Sequence, residues 1–257
     1  MKRVSFVLAI LFFVACKKET DIAEETYRKF NTVEYACGVQ ITFKANYDGD
    51  KLISLIGQVF SVNYYYIYNS QGQVIQRDFE NAGLRQKVTE YRYDNAGQLV
   101  EKKELAPVCF GRTSYMKYNY GYENGKLTQA TSYLKDNSTG DYIFFERKVY
   151  GWTGENIRTV TLYNINNAPF PELFDISYDL TKPNPMLIFK DFWLLDLWDY
   201  PSTTHFLLSK NLMTSMRTPT GDCSVIYTYD STFNEKRIKT LRTTCFNADM
   251  WNFTYSQ

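Results

Sequence analysis

One ten-residue segment constrains the fold more than any other part of the chain. Residues 91–100, YRYDNAGQLV, alternate aromatic and charged side chains, pass through an Asp-Asn-Ala-Gly run and then resume with apolar residues. Period-two alternation is typical of a β-strand with one buried face, and a cluster of Asp, Asn and Gly favours a chain reversal. The segment therefore predicts a β-hairpin.

Variants of this hairpin recur along the chain, about every two dozen residues, which indicates a repeated architectural unit and not a catalytic motif. Short links between hairpins predict that strands pair with their sequence neighbours in one antiparallel sheet. Because roughly a dozen or more strands cannot stay flat, we expect an all-β fold whose meander sheet curls into a half-barrel or barrel-like shape. The other predicted turns are at Tyr47–Asp50, Asn69–Gly72, Glu123–Gly125, Thr153–Asn156 and Asp230–Lys236.

The strand pattern extends on both sides of these turns. At its start, the alternation of Val33–Tyr47 predicts a single strand that returns over Leu52–Phe60. Further along, Val88–Tyr93 is predicted to pair with Leu99–Leu105. The aromatic content of 17% suits half-buried pleated surfaces of this kind.

The hairpin repeat is interrupted once, after Lys182-Pro183-Asn184-Pro185. Prolines stop a strand, and the apolar residues of the next segment recur at spacings of three and four. The pattern predicts one short helix over Leu187–Trp198. Because it is apolar on most sides, we expect it to be buried against the aromatic face of the sheet. A ligand-binding or cofactor-binding segment is the alternative.

The N-terminus resembles a bacterial lipoprotein signal. Residues 1–15 begin with basic residues and contain an apolar run, Val4–Val14, that is too short to span a bilayer. The run ends at Ala15-Cys16, a small residue before a cysteine, which implies cleavage before Cys16 and lipidation of this residue. We expect a lipidated linker over residues 16–29 and a single all-β domain over residues 30–257. A plain secretory signal is the alternative.

Four cysteines remain after Cys16. An even number of cysteines outside the cytoplasm predicts two disulfides. Cys223 and Cys245 lie almost symmetrically about Asn234, so they are expected to face each other across a hairpin. Cys37 and Cys109 would then form the second pair by elimination. Zinc is the competing interpretation, but the chain has no Cys-x-x-Cys spacing and its one histidine is His205.

The charge pattern argues against several partners. Residues 1–15 carry two basic and no acidic residues, so their removal leaves a net charge of −1. This balance gives no indication of a nucleic-acid partner or of another polyanion. The strand faces opposite the aromatic residues are expected to carry charges that require water, and this argues against strands that face lipid. These charged residues are Glu90, Arg92, Lys102, Glu104 and Arg147.

Candidate catalytic chemistry is sparse. The acidic turns Asp48–Asp50 and Asp136–Asp141 resemble calcium loops, but they lack the later bidentate Glu, and Asp, Asn and Gly are also what turns require. The chain has no Gly-x-Ser-x-Gly motif, and His205 has no evident catalytic partner. We therefore expect no enzyme activity, no catalytic residues, no cofactor and no metal.

Taken together, three motifs resemble a Bacteroidota outer-membrane or surface lipoprotein family. They are the Tyr-x-Tyr-Asp-x-x-Gly-x-Leu hairpins, Asn184-Pro185 before the apolar segment, and Leu208–Asn211 before the last hairpins. The family is a domain of unknown function described as having a porin-like β fold, and the resemblance implies that fold over most of residues 30–257. It implies no activity, cofactor or catalytic residue. The hairpins also resemble the Tyr-Asp repeats of large secreted shell proteins.

These observations predict a protein anchored by lipid to the outer membrane, at the cell surface or facing the periplasm. The predicted function is a non-catalytic binding module for a glycan, a peptide or an apolar ligand, because aromatic side chains supply contact area at little entropic cost. The alternative is a structural or assembly component of an outer-membrane protein complex, with no small ligand.

Overall fold

A computed structural model describes residues 32–36, 40–49, 51–58, 61–106, 115–166, 168–184, 208–218, 221–229, 238–243 and 251–254. These residues form sixteen β-strands. The first eight are β1 (Thr32–Ala36), β2 (Gln40–Asp48), β3 (Lys51–Gly57), β4 (Val62–Tyr68), β5 (Val74–Asn81), β6 (Leu84–Tyr93), β7 (Leu99–Glu104) and β8 (Met116–Glu123). The remaining eight are β9 (Lys126–Lys135), β10 (Tyr142–Thr153), β11 (Asn156–Tyr163), β12 (Pro169–Pro183), β13 (Asn211–Thr218), β14 (Gly221–Tyr229), β15 (Ile238–Thr243) and β16 (Trp251–Thr254).

The strands form one antiparallel meander sheet in which each strand pairs with its sequence neighbours. The all-β class and the predicted meander are therefore confirmed. The first strand also pairs with the last, through Thr32 with Thr254 and Val33 with Phe253. This seam closes the strand order into a barrel.

The predicted helix Leu187–Trp198 lies outside the described residues and stays a prediction. In the part of the chain that the structure describes, no helix has the length and apolar character needed to cross a membrane.

The predicted first strand, Val33–Tyr47, is wrong in one respect. Two antiparallel strands, β1 and β2, occupy this region, with Tyr35 opposite Ile41 and Ala36 opposite Gln40. The alternation of apolar residues continues across the reversal, and a period-two pattern does not record a change of chain direction.

Hairpin turns at one end of the barrel repeat one hydrogen-bonding pattern. The side-chain oxygen Oδ1 of Asn69 accepts hydrogen bonds from the backbone N–H groups of Gln71 and Gln73. In the next turn, Asp94 accepts in the same way from Ala96 and Gln98. A short polar side chain at the start of the turn thus accepts hydrogen bonds from backbone N–H groups that the turn would leave unpaired. This explains why Asp or Asn recurs at that position.

Most of these hairpins contain a β-bulge at an equivalent place, with its extra residue just after the turn. In the β6–β7 hairpin, Tyr93 is opposite Leu99 while Arg92 is opposite Glu101, so Val100 is the extra residue. Bulges bend a strand and re-aim its side chains. The same register shift occurs at Asn46/Tyr47, Ile67/Tyr68, Gly121/Tyr122, Gly151/Trp152 and Thr228/Tyr229.

At three of these bulges, the aromatic residue links neighbouring hairpins. The Tyr93 hydroxyl donates a 2.9 Å hydrogen bond to the backbone carbonyl of Val74, the first residue after the preceding turn. Equivalent bonds join Tyr68 to the Leu52 carbonyl at 2.9 Å and Trp152 Nε1 to the Leu127 carbonyl at 2.8 Å. We call this series of bonds the aromatic ladder. Just after their turns, Leu52, Val74, Leu99, Leu127 and Ile157 are all buried.

The aromatic ladder predicts opposite effects for two neighbouring inward tyrosines. Tyr93→Phe is expected to lower the free energy of unfolding by about 1 kcal/mol, because a carbonyl loses its hydrogen bond. Tyr91→Phe is expected to leave stability unchanged or raised, because the buried Tyr91 hydroxyl has no hydrogen-bond partner among the described residues. Equilibrium chemical unfolding of both variants checks this. Equal losses in the two variants would contradict the ladder.

Two predicted outer charges are in fact inside the barrel. Lys102 and Glu104 are 3% and 2% exposed, opposite Tyr91 and Thr89. The expectation that they face water is therefore wrong. The physical reason is the extra residue Val100, which shifts the alternation of β7 by one position.

Candidate functional site

A groove opens at the barrel rim between two adjacent hairpin turns. Because β5 pairs with β6, the turn at 69–73 lies beside the turn at 94–97. The space between them is about 610 Å³. We call it the rim groove. It is lined by Asn69, Gln71, Gln73, Ile75, Tyr91, Arg92, Tyr93 and residues 94–97.

The two walls of the rim groove are tied together. Gln73 Nε2 donates to the carbonyl of Gly97 at 3.3 Å, while Gln73 Oε1 accepts from Asn69 Nδ2 at 2.8 Å. Gly97 has φ of +79°, a conformation that favours glycine. A Cβ at Gly97 would also lie 3.3 Å from Gln73 Nε2. The groove is therefore held open at a defined width by the turns themselves.

Several polar groups of the lining are oriented toward solvent. Gln71 and Asn95 are exposed, and neither side chain is used by its own turn. The Arg92 guanidinium is also largely exposed and lies 3.6 Å from Glu101. The Tyr93 ring is fixed by the aromatic ladder. Amide, guanidinium and phenol groups thus surround the same space.

The mainly apolar interior of the barrel also contains buried charged and polar side chains. Arg77 is 1% exposed, its guanidinium donates to Thr89 Oγ1 at 3.0 Å and it lies 5.3 Å from the centre of the Tyr64 ring. Burial raises the pKa of the Tyr66 and Tyr91 hydroxyls well above the ordinary phenol value, and the charge of Arg77 offsets part of this. Both phenols therefore stay protonated.

A second group of charged side chains lies in the interior on β7, where Lys102 is opposite Tyr91 and Glu104 is opposite Thr89. Lys102 Nζ is 3.9 Å from Glu104 Oε1 and 4.1 Å from the centre of the Tyr118 ring. The other oxygen of Glu104 accepts from the backbone N–H of Met116 at 3.2 Å. These contacts compensate charges that burial would otherwise make costly.

Most of the predicted site residues lie outside the described part of the chain. These are Cys16, Cys37, Cys109, Cys245 and His205. Cys223 is described, and it is buried in β14 at 1% exposure, opposite Met216. The lipidation and the disulfide pairings stay predictions.

The acidic turn at 136–141 is occupied by its own hydrogen bonds. Asp136 Oδ1 accepts from the hydroxyl of Ser138 and from the backbone N–H groups of Ser138 and Thr139. These bonds hold the pKa of the Asp136 carboxyl below its usual value. Among the described residues, no group of three or more His, Cys, Asp or Glu side chains is placed to hold a metal ion.

The motif residues Asn184 and Leu208–Asn211 form a buried polar cluster near the β10–β11 turn. The Ser209 hydroxyl accepts from the Ile157 N–H at 3.0 Å, and the Ser209 carbonyl accepts from Asn184 Nδ2 at 2.6 Å. Asn156 and Asn211 exchange two bonds of 2.9 Å. Through these hydrogen bonds, the motif residues before and after the 185–207 segment are joined to each other and to the start of β11. Their role is therefore structural.

Sequence reasoning missed the rim groove. Its turns have the same Asp/Asn and Gly pattern as the other hairpins, and that pattern predicts a reversal without saying which two reversals form a groove. The available signal is the concentration of amide side chains at Asn69, Gln71, Gln73 and Asn95.

Comparison with known proteins gives loose structural likenesses. No protein-family model and no curated protein matches the chain. A porin-like protein from Bacteroides uniformis aligns with 13% identity and a TM-score of 0.40, over 91% of this chain and all of that chain. TcdB2–TccC3 with Cdc42 aligns with 12% identity and a TM-score of 0.34. TcdB2–TccC3 without its hypervariable C-terminal region aligns with 14% identity and the same TM-score. In both, the alignment covers 83% of this chain and 10% of the other.

Proposed function

We propose that this protein is a non-catalytic binding module of the cell envelope that recognises a hydroxyl-rich glycan in the rim groove. The observation that carries the proposal is the lining of amide, guanidinium and tyrosine groups around one open space. Its volume of about 610 Å³ is within the range of about 300–1,000 Å³ typical of small-ligand sites. Sugar hydroxyls both donate and accept hydrogen bonds, and amide side chains do the same.

The two other predicted ligand classes fit the groove less well. A peptide that adds a strand needs an open sheet edge, and the strand order of the barrel is closed. An apolar ligand would desolvate Gln71, Arg92 and Asn95 without satisfying their hydrogen bonds. A glycan satisfies the same groups and can pack a ring face on Tyr93.

The proposal includes a lipid anchor at Cys16 and attachment to the outer membrane, supported by the apolar run that ends at Ala15-Cys16. On the outer face of the sheet, Arg158 pairs with Asp175 at 3.0 Å. Such charges require water, so the barrel would lie beside the membrane and not within it. The expected mature chain begins at an acylated Cys16, as measured by mass spectrometry. A soluble mature chain with unmodified Cys16 would contradict the anchor.

An assembly component of an outer-membrane complex is the second candidate. The observation that favours it is the use of aromatic side chains inside the barrel, where Tyr66 and Tyr150 are 5% and 3% exposed and do not line the rim groove. Such residues are unavailable for ligand contact. A protein of this kind would retain no glycan in the experiment below.

Glycan-array binding of the purified protein tests the proposal, with Asn95→Ala as the informative variant. Asn95 lines the groove, and the loss of one hydrogen-bonding side chain is expected to weaken binding roughly fivefold. Asn137→Ala is the matched control, because Asn137 is equally exposed in a turn at the opposite end of the barrel. No retained glycan, or equal losses in both variants, would overturn the proposal.

A further inference from the structure

A second surface of the barrel concentrates positive charge on aromatic side chains. Lys103, Lys117 and Lys135 lie on the outer face of β7, β8 and β9, together with Tyr133 and Tyr142. We call these five residues the lysine–tyrosine patch. The register places Lys103 opposite Lys117, Lys117 opposite Tyr133, and Lys135 opposite Tyr142. The patch therefore runs across four neighbouring strands, about 14 Å from the first to the last.

Two of the three lysine ammonium groups lie near the tyrosine rings of the patch, while Lys135 Nζ lies 5.3 Å from the ring centre of Tyr115. Lys117 Nζ lies 5.0 Å from the ring centres of both Tyr133 and Tyr142. Lys103 Nζ lies 5.9 Å from the Tyr142 ring centre. These distances are within the range of cation–π contacts. Two cations thus share one aromatic ring.

The three lysines of the patch form no ion pair within the described part of the chain. The nearest carboxylates on this face are Glu90, which is opposite Lys103, and Glu101. Both have basic partners of their own, because Glu90 pairs with Lys87 and Glu101 pairs with Arg92. Lys103 and Lys117 are directly opposite each other, and like charges in that arrangement destabilise a sheet. An anion placed between them would remove this repulsion.

We propose that the lysine–tyrosine patch binds an acidic polysaccharide, at a site separate from the rim groove. The ammonium groups match carboxylate or sulfate substituents, and the rings supply flat apolar area for the faces of the sugars. The Tyr133 ring is held in place by an edge contact with Phe144, with ring centres 6.3 Å apart. An anionic membrane surface would attract the lysines through charge alone and would not need the rings.

The near-zero net charge of the chain does not reveal this patch. Net charge averages over the whole surface, whereas the field that a ligand meets depends on the charges within about 10 Å at physiological salt. The three lysines of the patch form no ion pair among the described residues, and the neighbouring carboxylates of Glu90 and Glu101 are paired with Lys87 and Arg92, so the local charge is positive.

Affinity measurements with dextran sulfate test the proposal, and neutral dextran of the same length serves as the uncharged control. We expect binding of dextran sulfate that weakens with added salt and no binding of dextran. Lys117→Gln is expected to weaken the binding at least roughly fivefold, and Tyr142→Leu is expected to weaken it at unchanged charge.

Lys44→Gln is the matched control for the charge change. Lys44 is exposed on the outer face of β2 and has no ion pair or ring contact among the described residues, so its loss is expected to change affinity less than twofold. Equal losses in Lys44→Gln and Lys117→Gln would show binding to general charge and overturn the proposal. Binding to phosphatidylglycerol vesicles without binding to dextran sulfate would overturn it in favour of a membrane contact.

Discussion

Replacing Lys102 with methionine is expected to lower the free energy of unfolding by about 3–5 kcal/mol. Lys102 is 3% exposed and lies beside Glu104, which is 2% exposed. Methionine keeps most of the volume and removes the charge, so the buried Glu104 carboxylate would lose one of the two cations, Lys102 and Arg77, that act on it. A loss of this size is a large share of the total stability of a domain. Equilibrium chemical unfolding measures it.

A control variant and a double variant test whether the loss comes from the buried charge pair. Lys103→Met changes the next residue, which is on the outer face, and is expected to change stability by about 0.5 kcal/mol or less. Combining Lys102→Met with Glu104→Leu removes both charges and is expected to recover much of the loss. Equal effects of Lys102→Met and Lys103→Met would contradict the inward position of Lys102.

The second large effect is expected from a Cys223–Cys245 disulfide. The prediction rests on the nearly symmetrical positions of Cys223 and Cys245 about Asn234 in the sequence, and in the described β14–β15 pair Val225 is opposite Thr243. Residues opposite each other in an antiparallel pair have Cα atoms about 4.5–5.5 Å apart, a separation that a disulfide can span. A bond closing a loop of this length is expected to stabilise the fold by about 3 kcal/mol in the chain-entropy model.

Non-reducing peptide mapping is expected to recover the Cys223–Cys245 linkage. In unfolding experiments, reductant should destabilise the parent protein by about 3 kcal/mol more than the double variant Cys223→Ala, Cys245→Ala, in which this bond cannot form. The double variant also controls for a bond between Cys37 and Cys109. Free thiols at both positions, or Cys223 joined to Cys37, would show that the predicted pairing is wrong.

The fold was predictable from sequence because its determinants are local. The turn at Asp94–Gly97 contains the Asp side chain that accepts hydrogen bonds from the turn's backbone N–H groups, and the glycine that adopts the required positive φ. In the strands on either side, inward and outward residues alternate. The same local signals recur in the other hairpins, so the all-β class and the pairing of neighbours follow from them.

The sequence did not predict the features that depend on strand register, such as which side chains face the interior and which ones meet across neighbouring strands. The extra residue Val100 moves Lys102 and Glu104 from the expected outer face to the interior, and the sequence alone has no marker for that shift. The rim groove and the lysine–tyrosine patch have the same origin, because each depends on which side chains neighbouring strands bring together. Lys103 and Lys117 are fourteen positions apart in sequence and meet only through the β7–β8 pairing.

The seam between β1 and β16 has a consequence for the order of folding. Every other strand pair in the described barrel joins sequence neighbours, so its contacts close much shorter loops than the seam does and can form earlier. The seam joins Thr32 to Thr254 and closes nearly the whole chain, at an entropic cost that rises only slowly with loop length. We expect the hairpins to assemble in succession, with the seam as the last contact to form and the first to open.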